Sequence, residues 1–410
     1  MSDRTKRILL IVALLTVTAL LAFALYYFFK QAGPLAEVTP GEQGATTTGV
    51  GAGLPSAGGR ATTTGEGGGA TTTLPIAGNI PSASQSYYRT QAVTKIANVQ
   101  TTYNSADKSG GMRYYNANDG KFYRVNADGT ITAMSDTVFN NVSNVTWADG
   151  ADKAVLEYPD GSNIVYNFET QKQVTLPKHW EDFSFSPDST QIAAKSVGLS
   201  EENRWLVTTN DDGSGTQLLE ALGENQDKVV VDWSPSRQAV AFAFTGDPLG
   251  TYRKEVLLVG LNGENFKSLT VEGMGFTSQW SPTGKKLLYS VYSPRTDLKP
   301  ELWITNSYGN DIGSGRTSLE IETWPSKCTF AGDSTVYCGV PQTLSQGAGI
   351  SPAIAAGTTD DLYKIDLTTG LKTKIATDGT YSISTISYDE TNKRLLFTDA
   401  NQSGVFEVSL

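Results

Sequence analysis

Side chains that could carry out chemistry are scarce in this sequence. Its 410 residues include a single histidine, His179, and two cysteines. A zinc site draws on several His or Cys ligands, and a Ser-His-Asp triad would have to use His179. That histidine lies in the segment LPKHWEDF, and no G-x-S-x-G motif occurs in the chain. We therefore predict no catalytic residues, no metal site and no cofactor.

The two cysteines are placed for a covalent bond to each other. Cys328 and Cys338 flank the turn around Asp333 symmetrically. In a hairpin centred on that turn they would lie opposite one another on adjacent strands, at a separation that suits a disulfide. Outside the cytoplasm such a pair oxidises. A disulfide is the prediction, and two buried free thiols are the alternative.

Acidic turns could be mistaken for calcium loops. The clearest is Asn210-Asp211-Asp212-Gly213, but no further acidic ligands follow it at EF-hand spacing. Similar Asp-Gly, Asn-Gly and Thr-Gly pairs recur between short apolar segments elsewhere in the chain. Tight hairpins need the positive φ that these pairs supply, so we interpret them as hairpin turns.

The elements that must position any site are short strands arranged in repeats. One unit recurs: a strand ending in an aromatic residue, a turn often written Ser-Pro-Asp, and a second apolar strand. The clearest copies are FSFSPDSTQIAAKS at 183–196, VVVDWSPSRQAVAFAF at 229–244 and FTSQWSPTGKKLLYSV at 276–291.

The repeat length predicts the architecture. The anchoring aromatics of the seven copies are Tyr103, Trp147, Phe185, Trp233, Trp280, Phe330 and Tyr388. They follow one another at intervals of about 40 to 60 residues, close to one four-stranded propeller blade per repeat. We predict an all-β fold, a seven-bladed β-propeller. Six blades are the alternative if the weakest copy, around Tyr103, is irregular.

The two ends of this domain complement each other. The last copy holds only three strands, whereas a spare strand, SYYRTQAVTKI at 86–96, precedes the first copy. We predict that this N-terminal strand completes the last blade. Closure of this kind removes the open sheet edges.

Three of the repeats resemble those of TolB-type and related WD-repeat-like β-propellers. The residues that carry the resemblance are Phe185-Ser186-Pro187-Asp188, Trp233-Ser234-Pro235 and Trp280-Ser281-Pro282-Thr283-Gly284. The resemblance implies the fold and, more weakly, a binding platform. A TolB role is not carried over, because TolB has a second domain where this chain has an apolar segment and a linker.

Long connections should all lie on one face of such a propeller. Loops from strand two to three, and from strand four to the next blade, share what we call the long-loop face; the remaining turns form the short-turn face. The long connections are 197–203, 245–254, 291–300 and 339–360. Binding residues usually lie on such loops, and exposed Tyr, Trp and Arg are frequent hot spots. The predicted binding residues are Trp180, Tyr252, Arg253, Tyr292, Arg295, Lys299 and Trp324. Irregular surface loops without a binding role are the alternative.

The N-terminal 85 residues have a different character. Residues 8–29 are uncharged and apolar, and as a helix they would cross a bilayer. Basic residues before them place residues 1–7 in the cytoplasm, with the C-terminal part outside. A cleaved signal peptide is the alternative. Residues 30–85, rich in Gly, Thr and Pro, should form a disordered linker, and residues 86–410 the propeller.

These observations predict a class of function. The formal net charge of −10 argues against a nucleic-acid partner, since phosphate binding needs a basic face. We expect a membrane-anchored, extracytoplasmic, non-enzymatic binding or scaffolding module whose partner is an envelope protein, peptide or glycan. A propeller-type hydrolase or lyase, or a structural subunit of an envelope assembly, is the alternative.

Overall fold

The computed structural model describes Leu20 and residues 90–106, 111–126, 128–264 and 266–410. Leu20 belongs to one unit, Met1–Ser82, and the other described residues to a second, Ala83–Leu410. Within the described part, no helix is both long and apolar enough to span a bilayer. The predicted transmembrane helix at 8–29 and linker at 30–85 lie, apart from Leu20, outside the described residues and stay predictions.

Seven antiparallel sheets form the second unit, and we number them as blades 1 to 7. The first strand, β1 (Val93–Ala97), precedes blade 1. Blade 1 contains β2 (Thr102–Ala106), β3 (Met112–Asn116), β4 (Lys121–Val125) and β5 (Ile131–Ala133). Blade 2 contains β6 (Asn144–Trp147), β7 (Lys153–Glu157), β8 (Asn163–Asn167) and β9 (Lys172–Leu176). Blade 3 contains β10 (Trp180–Phe185), β11 (Gln191–Val197), β12 (Arg204–Asn210) and β13 (Gln217–Ala221).

Blade 4 has a fifth strand. It contains β14 (Val229–Val231), β15 (Ala241–Ala243), β16 (Pro248–Gly250), β17 (Arg253–Val259) and β18 (Leu269–Val271). Blade 5 contains β19 (Met274–Trp280), β20 (Lys286–Tyr292), β21 (Pro300–Asn306) and β22 (Thr317–Ser318). Blade 6 contains β23 (Cys328–Phe330), β24 (Thr335–Pro341), β25 (Asp360–Asp366) and β26 (Lys372–Ile375). Blade 7 contains β27 (Ile383–Asp389), β28 (Arg394–Asp399) and β29 (Val405–Ser409), together with β1.

The ring is closed by the N-terminal strand, as predicted. β1 pairs antiparallel with β29, with Val93 opposite Val408 and Lys95 opposite Phe406. Blade 7 therefore has the order β1-β29-β28-β27 and draws its outer strand from the other end of the domain. The seven-bladed prediction is confirmed, and the six-bladed alternative is wrong.

The hydrophobic core lies between neighbouring blades. Seven buried clusters each join two adjacent blades, for example blades 4 and 5 through Phe242 and Tyr289. Predicted anchoring aromatics lie at or near the ends of the first strands and pack there: Trp280 stacks on Phe242 with ring centroids 5.1 Å apart. Tyr103 departs from this pattern, because it is the second residue of β2, where its φ of 50° interrupts the strand.

The Ser-Pro turns have a structural role. The N–H of Ser186 donates to the carbonyl of Gln191 at 2.9 Å, and the Ser186 hydroxyl accepts the Gln191 N–H at 3.0 Å. Ser281 and Lys286 repeat both hydrogen bonds at 2.9 and 3.1 Å. The serine therefore holds the two strands of a hairpin in register, which explains why it recurs.

The acidic turn at 210–213 is a hairpin turn. Gly213 has a φ of 79°, in the left-handed region that favours glycine. Asp212 accepts the Ser214 N–H at 2.9 Å and so acts as an Asx-type turn residue. The hairpin interpretation is confirmed.

The cysteines form the predicted disulfide. Cys328 on β23 lies directly opposite Cys338 on β24, and the two sulfur atoms are bonded. Both residues are buried in the cluster between blades 5 and 6. The bond therefore joins the first two strands of blade 6 inside the core.

Candidate functional site

A cavity of about 640 Å³ opens among blades 5, 6 and 7 on the long-loop face. The first strands β19 and β27 supply two of its walls, and the 3₁₀ helix Pro325–Lys327 supplies a third. A further 3₁₀ helix, Pro352–Ala355, and the two residues after it cover one side. Most of the lining is apolar, and Trp324 contributes the largest ring. The cavity is therefore suited to a group with an apolar surface.

The covering segment comes from the long loop of blade 6, residues 342–359. Its backbone is fixed to blade 5, since the Gly347 N–H donates to the Asp297 carbonyl at 3.0 Å and the Gly349 N–H to the Leu298 carbonyl at 2.8 Å. At its other end, the Asn401 side chain of blade 7 donates to the Gly357 carbonyl at 3.2 Å. The loop therefore spans three blades.

Glycine is required where this loop meets blade 5. A Cβ added at Gly349 would lie 2.5 Å from the Cβ of Tyr292 and 2.7 Å from the Leu298 carbonyl oxygen. Only a residue without a side chain permits that approach. The loop therefore packs closely at this end.

A buried ion pair lies in the wall of the cavity. Both oxygens of Asp360 accept from the Lys327 ammonium at 2.8 Å, and one also accepts the Ile383 N–H at 2.6 Å. Burial raises the pKa of Asp360, and the Lys327 charge opposes that shift. Because Asp360 neutralises the lysine, the wall attracts a hydrogen-bond acceptor, such as a carbonyl, more than a free anion.

Exposed apolar residues are concentrated on the same face. Among the described residues, the short-turn face and the strand ends beside it expose four large apolar residues: Ile131, Tyr308, Leu371 and Leu410. The long-loop face carries Val138, Leu199, Leu249, Tyr252, Met274, Ile350 and Ile354. Exposed apolar residues of this kind are a feature of interaction surfaces.

The predicted binding residues fall into three places. Trp324 lines the cavity. Tyr252 and Arg253 are exposed at the additional hairpin of blade 4, away from the cavity lining. Tyr292 is half-buried beneath the loop of blade 6.

Arg295 and Lys299 are less available than the sequence suggests. Arg295 pairs with Glu301 at 2.7 Å, and Lys299 pairs with Glu322 at 3.3 Å. Their charges are therefore partly satisfied within the protein. A binding role for the seven predicted residues stays a prediction.

Trp180 does not meet the expectation of an exposed aromatic. It begins β10, is 7% exposed and packs in the cluster between blades 2 and 3. Its carbonyl accepts the Asn163 side-chain N–H at 2.9 Å. The connection before it is too short to lift the indole out of the core, and the residue is part of the fold.

The sequence placed Asp360 and the segment 352–357 in the long connection 339–360, but it did not single out either of them, or Lys327, as site residues. The position of 352–357 depends on how a long loop folds back over the propeller, which no local pattern records. The small residues of that segment, Pro-Ala-Ile-Ala-Ala-Gly, were the available signal, because small side chains permit close packing near the mouth of a cavity.

Comparisons with known proteins support the fold. No family model matches the chain, and no curated protein matches it. The Myceliophteria thermophila Cps50 (Swd1) β-propeller domain is 12% identical with a TM-score of 0.52, over 78% of this chain and 99% of that one. Oligogalacturonate lyase from Vibrio parahaemolyticus is 11% identical with a TM-score of 0.50, over 77% of this chain and 93% of that one.

A third similar structure is the tricorn protease, 9% identical with a TM-score of 0.48 over 77% of this chain and 33% of that one. Similarity at these identities shows the β-propeller fold alone. The resemblance to TolB-type and WD-repeat-like propellers therefore holds at the level of the fold. An enzyme, the oligogalacturonate lyase, is among the similar structures, so the fold does not decide between catalysis and binding.

Proposed function

We propose that this protein is a non-enzymatic binding module that captures a segment of a partner protein on the long-loop face. The observation that carries the proposal is the apolar cavity beside Trp324, on the face where the exposed aliphatic residues are concentrated. An apolar side chain of the partner would enter the cavity. The Lys327 ammonium, whose charge Asp360 balances, would donate to a backbone carbonyl next to that side chain.

We propose that residues 8–29 anchor the chain in a membrane and that residues 30–85 tether the propeller outside the cytoplasm. The partner is then a protein of the cell envelope. The apolar run at 8–29, the basic residues before it and the disulfide of blade 6 support this arrangement.

The cavity favours binding over a hydrolase or lyase reaction. Lys327 is the one charged side chain among the residues described as lining it, and that side chain is engaged by Asp360. Acid-base chemistry uses groups that are free to exchange protons with a substrate. The engaged lysine instead provides a fixed donor among apolar walls.

Site-specific photocrosslinking in intact cells tests the proposal. A benzoylphenylalanine placed at Ile354, on the long-loop face, should give a discrete adduct with a partner protein. The same residue at Leu371, on the short-turn face, is the matched control, since the two positions are 51% and 65% exposed. We expect an adduct from the first position only.

A second variant shows whether the cavity itself takes the partner. Ala356→Trp would fill the cavity that Ala356 lines, whereas Ala353→Trp adds the same side chain at an exposed neighbour that does not line it. The first change should reduce the Ile354 adduct at least tenfold and the second should leave it intact. Equal adducts in both variants, or adducts from both faces, would contradict the proposal.

A further inference from the structure

A second cavity, of about 340 Å³, lies at the opposite end of the inner strands, near the short-turn face. Blades 2 to 5 line it with the last residues of their first strands and the residues that follow. Its walls include the rings of Trp147, Phe185, Trp233 and Trp280. It differs from the first cavity in being mainly polar.

Two carboxylates line this cavity, and no basic side chain lines it within the described part of the chain. Asp149 follows β6 and Asp232 follows β14. Burial raises the pKa of Asp232 to about 7, the Trp280 indole opposes the shift, and the charges of Asp149 and Asp182 add to it. Lys195 is the nearby cation, and its charge is shared between Asp182 at 3.3 Å and Glu181 at 3.6 Å.

Unpaired polar atoms belong to the same walls. Trp233 is 5% exposed, and its indole N–H has no hydrogen-bond partner among the described residues. The side-chain oxygen of Gln279 is likewise unpaired. Buried polar groups are normally satisfied, so an unpaired donor and an unpaired acceptor around one cavity indicate a ligand that offers both an acceptor and donors.

We propose that this cavity binds a small primary ammonium ion with an oxygen atom on the second carbon from the nitrogen, as in ethanolamine. The ammonium would donate to Asp149, Asp232 and the Gln279 oxygen. The ligand oxygen would accept the Trp233 N–H. The site adjoins the long-loop cavity, since Ser278 and Gln279 line both, but it does not depend on the function proposed for that cavity.

Ligand-observed saturation-transfer NMR on the purified full chain tests this site. Ethanolamine should bind with a dissociation constant on the order of 1 mM, as expected for four heavy atoms. Ethylene glycol lacks the ammonium and should bind at least tenfold more weakly. Ethylamine lacks the oxygen and should lie between the two.

Substitutions in the cavity test whether ethanolamine binds there. Asp232→Asn removes one carboxylate with little change in shape and should weaken ethanolamine binding about tenfold. Asp212→Asn makes the same change in a hairpin turn of the same face, outside the cavity, and should have no effect. Trp233→Phe should weaken the binding of ethanolamine but not that of ethylamine.

The pH dependence is a further check. Ethanolamine stays protonated between pH 6 and 8 while Asp232 ionises, so binding should be about tenfold tighter at pH 8 than at pH 6. Equal binding of ethylene glycol, an unchanged affinity in Asp232→Asn, or no saturation transfer up to tens of millimolar would each overturn the proposal.

Discussion

The two faces of this propeller carry different kinds of residue on the same strands. On the short-turn face, neighbouring hairpins are joined to each other: Arg237 pairs with Asp188, and the Gly150 N–H donates to the Ser189 hydroxyl at 2.9 Å. The long-loop face instead exposes aliphatic side chains around a cavity. One end of each blade thus holds its neighbours together, and the other end carries the face proposed to bind a partner.

This contrast has a physical origin in loop length. A short turn fixes its side chains close to the strands, where they reach the turn of the next blade. A long loop has room to fold over the strands, and residues 342–359 do so. Changes on the short-turn face should therefore affect stability, and changes on the long-loop face should affect binding.

Alanine substitution at two glycines, one on each face, tests that expectation. Among the predictions, we expect the largest change in the free energy of unfolding here. Gly284, in a Ser-Pro turn, has a φ of 68°, and a Cβ there would lie 2.5 Å from the backbone nitrogen of Ser236 in blade 4. Gly284→Ala should lower the free energy of unfolding by about 4 kcal/mol, from backbone strain and overpacking together. Denaturant titration measures this loss.

Gly347, in the long loop, is the matched control. Its φ is 83°, but no atom lies within 4 Å of an added Cβ. Gly347→Ala should cost about 1 kcal/mol, from backbone strain alone. Equal losses for the two variants would show that the close contact at Gly284 adds nothing to the cost of backbone strain.

The disulfide should give the next largest effect. Blade 6 contributes to both faces, and the Cys328–Cys338 bond joins its first two strands. Replacing both cysteines by alanine should lower the free energy of unfolding by about 2.5 kcal/mol. Partner crosslinking from Ile354 should persist in the folded variant, because the bond lies in the core. Loss of crosslinking with unchanged stability would show instead that the bond shapes the long-loop face.

We expect the smallest change in stability from replacing two aspartates, Asp188 and Asp160, one on each face. Hydrogen bonds, first from the Ser186 hydroxyl and then from Thr190 and Arg237, lower the pKa of Asp188 to about 2. A lowered pKa stabilises the fold above the unfolded value near 4, and that contribution is lost as the pH falls through 2. Asp188→Asn should therefore cost less than about 1 kcal/mol at pH 7, after solvent screening, and nothing near pH 2.

Asp160 on the long-loop face provides the comparison. Hydrogen bonds from Ser162 and Lys178 also lower its pKa to about 2, but they stay within one blade and its exit loop. Asp160→Asn should change stability less than Asp188→Asn at pH 7. Denaturation series from pH 7 to below pH 2 measure both. A pH-independent difference between Asp188→Asn and the parent would contradict the assignment.

Much of the fold could be predicted from the sequence because it depends on local, repeated signals. An aromatic residue near the end of the first strand marks each repeat, and a Ser-Pro turn marks three of them, so blade number followed from counting. The disulfide followed from the symmetry of Cys328 and Cys338 about a turn, and the closing strand from the missing strand of the last blade.

The candidate sites could not be predicted in the same way, because they arise from packing between distant segments. Lys327 and Asp360 are 33 residues apart and meet only when the strands of blade 6 have paired. Asp232 and Trp280 meet in a cavity that four blades build together. The expectation that Trp180 is exposed was wrong for the same reason. It was based on side-chain type, whereas packing against the neighbouring blade buries the indole.

Closure by β1 also sets an order of events during synthesis on the ribosome. β1 is made first, but its partner β29 is the last strand of the propeller to emerge. Until β29 emerges, β1 has no partner strand, while six complete blades and part of the seventh form. Such a long-range contact is slow to form, so the last step of folding is the joining of two strands separated by nearly the whole domain. A chain stalled before β29 would present two open sheet edges, and those edges would be available to other chains.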